Sequence, residues 1–232
     1  MSIVASIRSS LVPVHRAGYP FIAIGLILTI AAGFVSSALA WIAAIITGWV
    51  IHFFRDPPRT TPQSAELIVS PADGRVSMIV EVLPPPELQL PAKPMLRVSV
   101  FMSIFDCHVN RMPIAGRVSR IAYTPGRFVN ADLDKASEHN ERNALAIASA
   151  HGPIAVVQIA GLIARRIVHW VAPDDELAVG ERFGLIRFGS RLDVYMPVGS
   201  DVLVAVGQRA VAGETPLADL STAKTQRVFR TT

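Results

Sequence analysis

From Phe21 to Phe54 the chain runs 34 residues almost wholly apolar, and no charged residue lies between Arg16 and Arg55. A helix needs roughly 20 apolar residues to cross the hydrocarbon core of a bilayer. Thirty-four are more than one span and fewer than two comfortable ones. Gly33, Ser36 and Ser37 interrupt the middle of the run. The expectation is therefore two helices of about 15 residues in a shallow hairpin, or one span with an interfacial helix. Arg8 and Arg16 precede the run and Arg55 and Arg59 follow it, as expected when both ends stay on the cytoplasmic side. A cleaved signal peptide is the competing reading, but the run is too long and lacks an evident small-residue cleavage site before Pro57 and Pro58.

The charge distribution bears on partners. The chain carries 22 basic and 18 acidic residues, and its first 59 residues hold four arginines against Asp56 alone. The remainder is close to neutral, which argues against a nucleic-acid-binding body and fits basic flanks beside a membrane. One cysteine excludes a disulfide framework and a multi-cysteine metal site. The six histidines show no clustered ligand spacing, so no metal site is expected.

Beyond Pro58 helix signals nearly vanish. Short apolar runs punctuated by glycine and proline read as an antiparallel, mainly β domain with a barrel-sandwich rhythm. Val98, Val100, Met102 and Ile104 alternate along one strand, and Leu192, Val194 and Met196 along another. Ile154–Ile159 and Arg166–Val171 are similar runs, and the segment from Val202 to Asp219 reads as strand, turn, strand. Lipoyl and biotinyl carriers share this rhythm, but no lysine sits at a hairpin tip as a carrier lysine would. Leu83–Pro91, with three consecutive prolines, reads as an extended surface loop, and Ala131–Asn143 as a short helix or loop. The expected division is a membrane-associated helical segment, 1–56, and a β catalytic domain, 57–232.

Four segments carry the candidate chemistry: Ser70 to Val76, with Asp73 before Gly74; Phe101 to Pro113, with Cys107, His108 and Arg111; Asn140 to Asn143; and Gly184 to Arg191, with Phe188, Gly189 and Ser190. Each is weak alone, since Asp-Gly and Gly-Ser are ordinary turn dipeptides and a strand histidine is commonly structural. Cys107 and His108 do not form an obvious nucleophile–base pair, because neighbours on a strand point to opposite faces. Cys107 reads as a packed core residue.

In this order the segments resemble the phosphatidylserine decarboxylase family, in its shorter membrane-associated proteobacterial and archaeal form. The likeness runs from His52 to about Pro197 and includes the Tyr123–Gly126 turn. The resemblance implies a proenzyme that cuts itself between Gly189 and Ser190, giving a large subunit 1–189 and a small one 190–232. It implies that Ser190 becomes a pyruvoyl group, the cofactor whose carbonyl does the work pyridoxal phosphate does elsewhere. It further implies phosphatidylserine in the membrane as substrate, phosphatidylethanolamine and carbon dioxide as products, and a place on the cytoplasmic face of the cell membrane. A homo-oligomer is left open.

By the same resemblance Asp73 is the orienting carboxylate and Ser190 the nucleophile. Longer relatives carry two histidines three apart before Met-Pro, and here the second position is Arg111. A guanidinium cannot deprotonate a hydroxyl at neutral pH. Either His108 serves both self-cleavage and the later protonation, the favoured reading, or Asp73 acts more directly, and Arg111 is expected to bind the substrate phosphate or carboxylate. Two other readings stand beside this one. The first is a pyruvoyl decarboxylase of another amine, and the second a non-catalytic, membrane-anchored barrel-sandwich adaptor.

Overall fold

The computed structural model describes residues 12–126, 140–161, 166–187 and 190–221. The chain divides into two compact units, Met1–Pro58 and Arg59–Thr232.

The first unit is a helix pair, α1 (Tyr19–Gly33) and α2 (Ser37–Phe53). Pro20 stands in the first turn of α1, where its missing N–H costs nothing. The break falls at Phe34–Ser36, where Ser36 turns to an extended conformation at the head of α2. The helices meet through small groups. The Thr29 and Thr47 hydroxyls approach to 3.3 Å, and a Cβ on Gly25 would lie 2.7 Å from Thr47 Oγ1. Close approach at small residues is how apolar helices associate where water supplies no drive. The ends are tied by His15 N–H to Phe54 O at 2.8 Å and Asp56 N–H to Pro13 O at 2.7 Å. Ile27, Ile30, Phe34, Trp41 and Ile45 are all exposed. By length and composition, Arg16–Gly33 suffices to cross a bilayer, while Ser37–Phe53 is shorter. Residues apolar on every side of a helix suit lipid rather than water.

The second unit is built of strands. In chain order they are β1 (Leu67–Val69), β2 (Gly74–Val82), β3 (Met95–Met102), β4 (Val109–Arg111), β5 (Gly116–Thr124), β6 (Arg142–Ser149) and β7 (Gly152–Ala160). There follow β8 (Ile167–His169), β9 (Glu176–Leu177), β10 (Arg182–Ile186), β11 (Ser190–Met196), β12 (Asp201–Val202), β13 (Arg209–Ala210) and β14 (Pro216–Asp219). Eight form one antiparallel sheet in the order β13-β2-β3-β11-β7-β6-β5-β9. Register shifts at Val76/Met78 and Val118/Arg120 mark bulges, which increase local twist and help the sheet curl. Two smaller sheets, β1-β14-β12 and β4-β10-β8, complete the unit.

Alternation sorts the residues by face. Val98, Val100, Met102, Leu192, Val194, Met196, Ile154, Val156, Leu145 and Ile147 share the main core. Burying each such side chain contributes about 1.5–3 kcal/mol. The opposite face is also covered at the centre, where Ala144, Ala146, Ala155, Val157, Ile159 and Tyr195 pack with Leu88. All seven residues of β11 are buried.

Three local expectations are corrected. Leu83–Pro91 is not wholly an extended surface loop, because Pro86–Leu88 makes a 3-10 turn and Leu88 is buried. Glu87 anchors it, accepting from Arg142 Nε at 2.6 Å, while Arg120 Nε donates to the Glu87 carbonyl at 2.8 Å. Ile104 does not continue the strand, because β3 stops at Met102 and Ser103–Asp106 closes a turn through Asp106 N–H to Ser103 O at 2.9 Å. Arg142 and Asn143 open β6 rather than belonging to a loop, and residues 131–139 lie outside the described ones.

On the second face of β11, Arg191 and Asp193 are fully buried and form a bidentate pair, Nε to Oδ1 at 2.8 Å and Nη2 to Oδ2 at 3.0 Å. Burial, with the Asp193 charge second, pushes the Tyr195 hydroxyl up to about 12. Removing one partner of a buried pair strands the other charge, a loss of about 3–5 kcal/mol. Asp193→Ala is accordingly expected to lower the denaturation midpoint strongly, as read by urea unfolding. A shift no larger than that of an exposed alanine substitution would show that the charge of Arg191 is held without Asp193.

Candidate active site

Ser190 is the first residue of β11, paired with Met102 on β3 and Ala160 on β7. Strand alternation puts it on the Leu192 side, facing the main core. It is fully buried, and among the described residues its Oγ has no hydrogen-bond partner. An unpaired buried hydroxyl costs about 1–3 kcal/mol, so this is an expensive place for a serine. Gly189 and Phe188 lie outside the described residues.

His108 is also fully buried and immediately precedes β4. Its carbonyl accepts from Ile186 N–H at 3.3 Å, four residues ahead of Ser190. Its Nδ1 lies 2.9 Å from the Asp106 carbonyl oxygen. A carbonyl can only accept, so this bond requires the proton on Nδ1 and leaves Nε2 as the basic nitrogen of the neutral ring. Asp106 is itself fixed, its carboxylate accepting from Ser103 N–H at 2.8 Å and from Arg209.

The Ser70–Asp73 segment runs antiparallel to β4, tied by Val69 N–H to Pro113 O and Arg111 N–H to Pro71 O, both 2.9 Å. That direction leads Asp73 toward the His108 end of β4. The Asp73 carboxylate accepts from Arg59 Nη2 at 2.7 Å and Ala212 N–H at 2.8 Å. Gly74 follows because the chain grazes β3 here: a Cβ would lie 2.1 Å from the Phe101 carbonyl oxygen. Phe101 pairs with Arg75, and its neighbour Met102 pairs with Ser190, so β3 links the Asp73 turn to the serine. Arg111 is buried, its Nη1 donating to Gly180 O at 3.0 Å.

The folded chain adds Gln158, outside the four segments, and joins it to two asparagines within them. Gln158 Nε2 donates to Asn110 Oδ1 at 2.8 Å, and Asn143 Nδ2 donates to Gln158 Oε1 at 2.9 Å. This buried amide chain crosses the core beside His108, two residues along from Asn110. Its signal was a polar residue at inward-facing positions of otherwise apolar strands. Asn140 and Glu141, left out of the catalytic set, flank the Ser190 row. Asn140 Nδ2 donates to Ala160 O at 2.7 Å, and Ala160 N–H to Glu141 O at 2.9 Å. The Glu141 carboxylate accepts from the Tyr123 hydroxyl at 3.0 Å. Burial and the Glu141 bond both raise the pKa of that hydroxyl.

Residues 46–218 match the family model of phosphatidylserine decarboxylase, a span that holds every strand except the last residue of β14 and every site residue named above. The chain belongs to the phosphatidylserine decarboxylase family. It is thus a carboxy-lyase of phospholipid synthesis acting on phosphatidylserine, and the adaptor reading falls away.

Proposed function

We propose that the chain matures by cutting its own backbone between Gly189 and Ser190, and that Ser190 then becomes the pyruvoyl group of the decarboxylase. The observation that carries this reading is the Ser190 hydroxyl, buried and without a partner among the described residues at the head of a fully buried strand. His108 Nε2 takes the Ser190 hydroxyl proton, and Oγ attacks the Gly189 carbonyl carbon. The Gly189–Ser190 C–N bond breaks as the ester forms, and the proton passes to the freed amine. Loss of the Ser190 α-proton then expels the Gly189 carboxylate from Cβ, and water releases ammonia. Asp73 supplies the negative charge that favours protonated His108, while the Asp106 carbonyl holds the ring in its tautomer.

The surroundings suit the group so formed, because a small planar carbonyl fits where Ser190 is enclosed and its hydroxyl has no bond to lose. The pyruvoyl ketone supplies a carbonyl that takes the substrate amine and accepts the electron pair released with carbon dioxide. His108 Nε2 holds the proton that afterwards goes to the substrate carbon. The apolar strand faces around Ser190 exclude water from that proton.

We further infer that the α1–α2 pair attaches the enzyme to the cytoplasmic face of the cell membrane. Deleting residues 1–54 is expected to move the protein to the soluble fraction. It should lower turnover of bilayer phosphatidylserine more than turnover of a short-chain, water-soluble analogue. Equal loss on both substrates would make the helices part of the catalytic fold instead.

A further inference from the structure

We propose that Arg166 and Arg187 together form the anion subsite that holds the phosphodiester of the substrate. The inference rests on the chemistry proposed at Ser190. β8 and β10 pair antiparallel with Ile167 opposite Ile186, and one step beyond, Arg187 N–H donates to the Arg166 carbonyl at 3.2 Å. The two arginines are therefore cross-strand neighbours. Like charges set opposite each other on adjacent strands are destabilising. The Arg187 pKa is lowered first by burial and then by the Arg166 charge. An anion between the two forks would relieve that repulsion.

Their position puts such an anion beside the reacting atoms. Ile186, next to Arg187, donates its N–H to the His108 carbonyl. Ser190 is three residues further along, within about 10 Å of extended chain. Ile167, next to Arg166, donates its N–H to Glu141 Oε1 at 3.3 Å, and Glu141 flanks Ala160, the cross-strand partner of Ser190. The Arg166 charge also reaches Tyr123, whose hydroxyl bonds Glu141. Glu141 is thus a carboxylate in contact with this end of the two arginine strands.

The substrate carries two anionic groups, and they make opposite demands. The serine carboxylate must leave as neutral carbon dioxide, so an ion pair to it stabilises the ground state and opposes reaction. The phosphodiester keeps its charge from start to finish, and its oxygens match the planar fork of arginine. Binding that is equal in ground and transition states appears in KM rather than kcat. Arg166, exposed, and Arg187 suit that task, whereas the buried Arg111 donates to the Gly180 carbonyl.

The test uses full-length, self-processed protein with short-chain phosphatidylserine. Arg166→Ala is expected to cleave normally on a denaturing gel, raise KM about tenfold and leave kcat within about twofold, with Arg166→Lys in between. Inhibition of the parent enzyme by glycerol 3-phosphate should weaken in Arg166→Ala by a similar factor, while inhibition by free serine should not change. Arg187→Ala should behave alike where it matures, and Arg166→Ala decides the matter where it does not. An unchanged KM with unchanged glycerol 3-phosphate inhibition, or a loss confined to kcat, would overturn the subsite. A parent protein that is active without being cut would instead overturn the chemistry proposed at Ser190, so the two failures are distinguishable.

Discussion

Ser190→Ala will yield a single chain of 25.0 kDa that neither cleaves nor decarboxylates. Methyl replaces hydroxymethyl, so no oxygen remains to attack the Gly189 carbonyl, and no group at that position can become the electron-accepting carbonyl. The fold should survive, because the hydroxyl has no hydrogen bond to lose among the described residues and alanine suits a buried strand end. Removing an unpaired buried hydroxyl should even raise the melting temperature slightly. The parent protein should run as two chains, the smaller of 43 residues and refractory to Edman degradation. Intact-mass measurement checks both statements. An active parent preparation holding only the full-length chain would remove the basis for the whole mechanism.

His108→Ala should slow maturation by roughly 10² to 10⁴, the usual loss when a positioned general base is removed. The readout is the fraction of cleaved chain against time after synthesis. Normal cleavage in this variant would move the base to Asp73. Arg111→Ala is the informative companion, because the sequence places it where longer relatives carry a second histidine. Its Nη1 bond to the Gly180 carbonyl supports a holding role. The expected result is normal cleavage, a lower melting temperature and little change in KM. A clear rise in KM without loss of stability would return Arg111 to the headgroup. Failure of a folded Arg111→Ala to cleave would make the arginine part of the self-cleavage site.

Much of this architecture was legible because the relevant chemistry is local. The uncharged run interrupted at Gly33 and Ser36 announces two helices, and the alternation of Val98, Val100 and Met102 announces a half-buried strand. The same rule misleads at β11, where Arg191 and Asp193 alternate with Leu192 and Val194 as solvent-facing residues would. They are buried nonetheless, because a bidentate pair two residues apart neutralises both charges on one face of one strand. Leu88 was hidden among prolines, and only the sheet face that receives it explains its burial. Asp73, His108 and Ser190, the residues of the proposed chemistry, stand in motifs whose order is visible in the sequence. The Asn110–Gln158–Asn143 chain is not visible there, because its bonds join residues 48 and 15 positions apart in the sequence. Alternation marks each of them as a polar residue facing inward, but which partner each finds is set by pairing that no local pattern records.

The place of Ser190 between two strands also decides what becomes of the cut ends. After the proposed scission the 43-residue fragment would still contribute β11 to the middle of the eight-stranded sheet, laddered to β3 on one side and β7 on the other. It would also lend β13 to β2 and β14 to β1. Two polypeptides interleaved in this way have no dissociable interface, only a shared fold, and the broken bond is not needed to keep them together while that fold lasts. It is needed to rebuild the fold, because once melted the fragments must find each other by diffusion. The proposed maturation would thus act as a one-way ratchet, leaving an enzyme whose lifetime is set by its rate of unfolding.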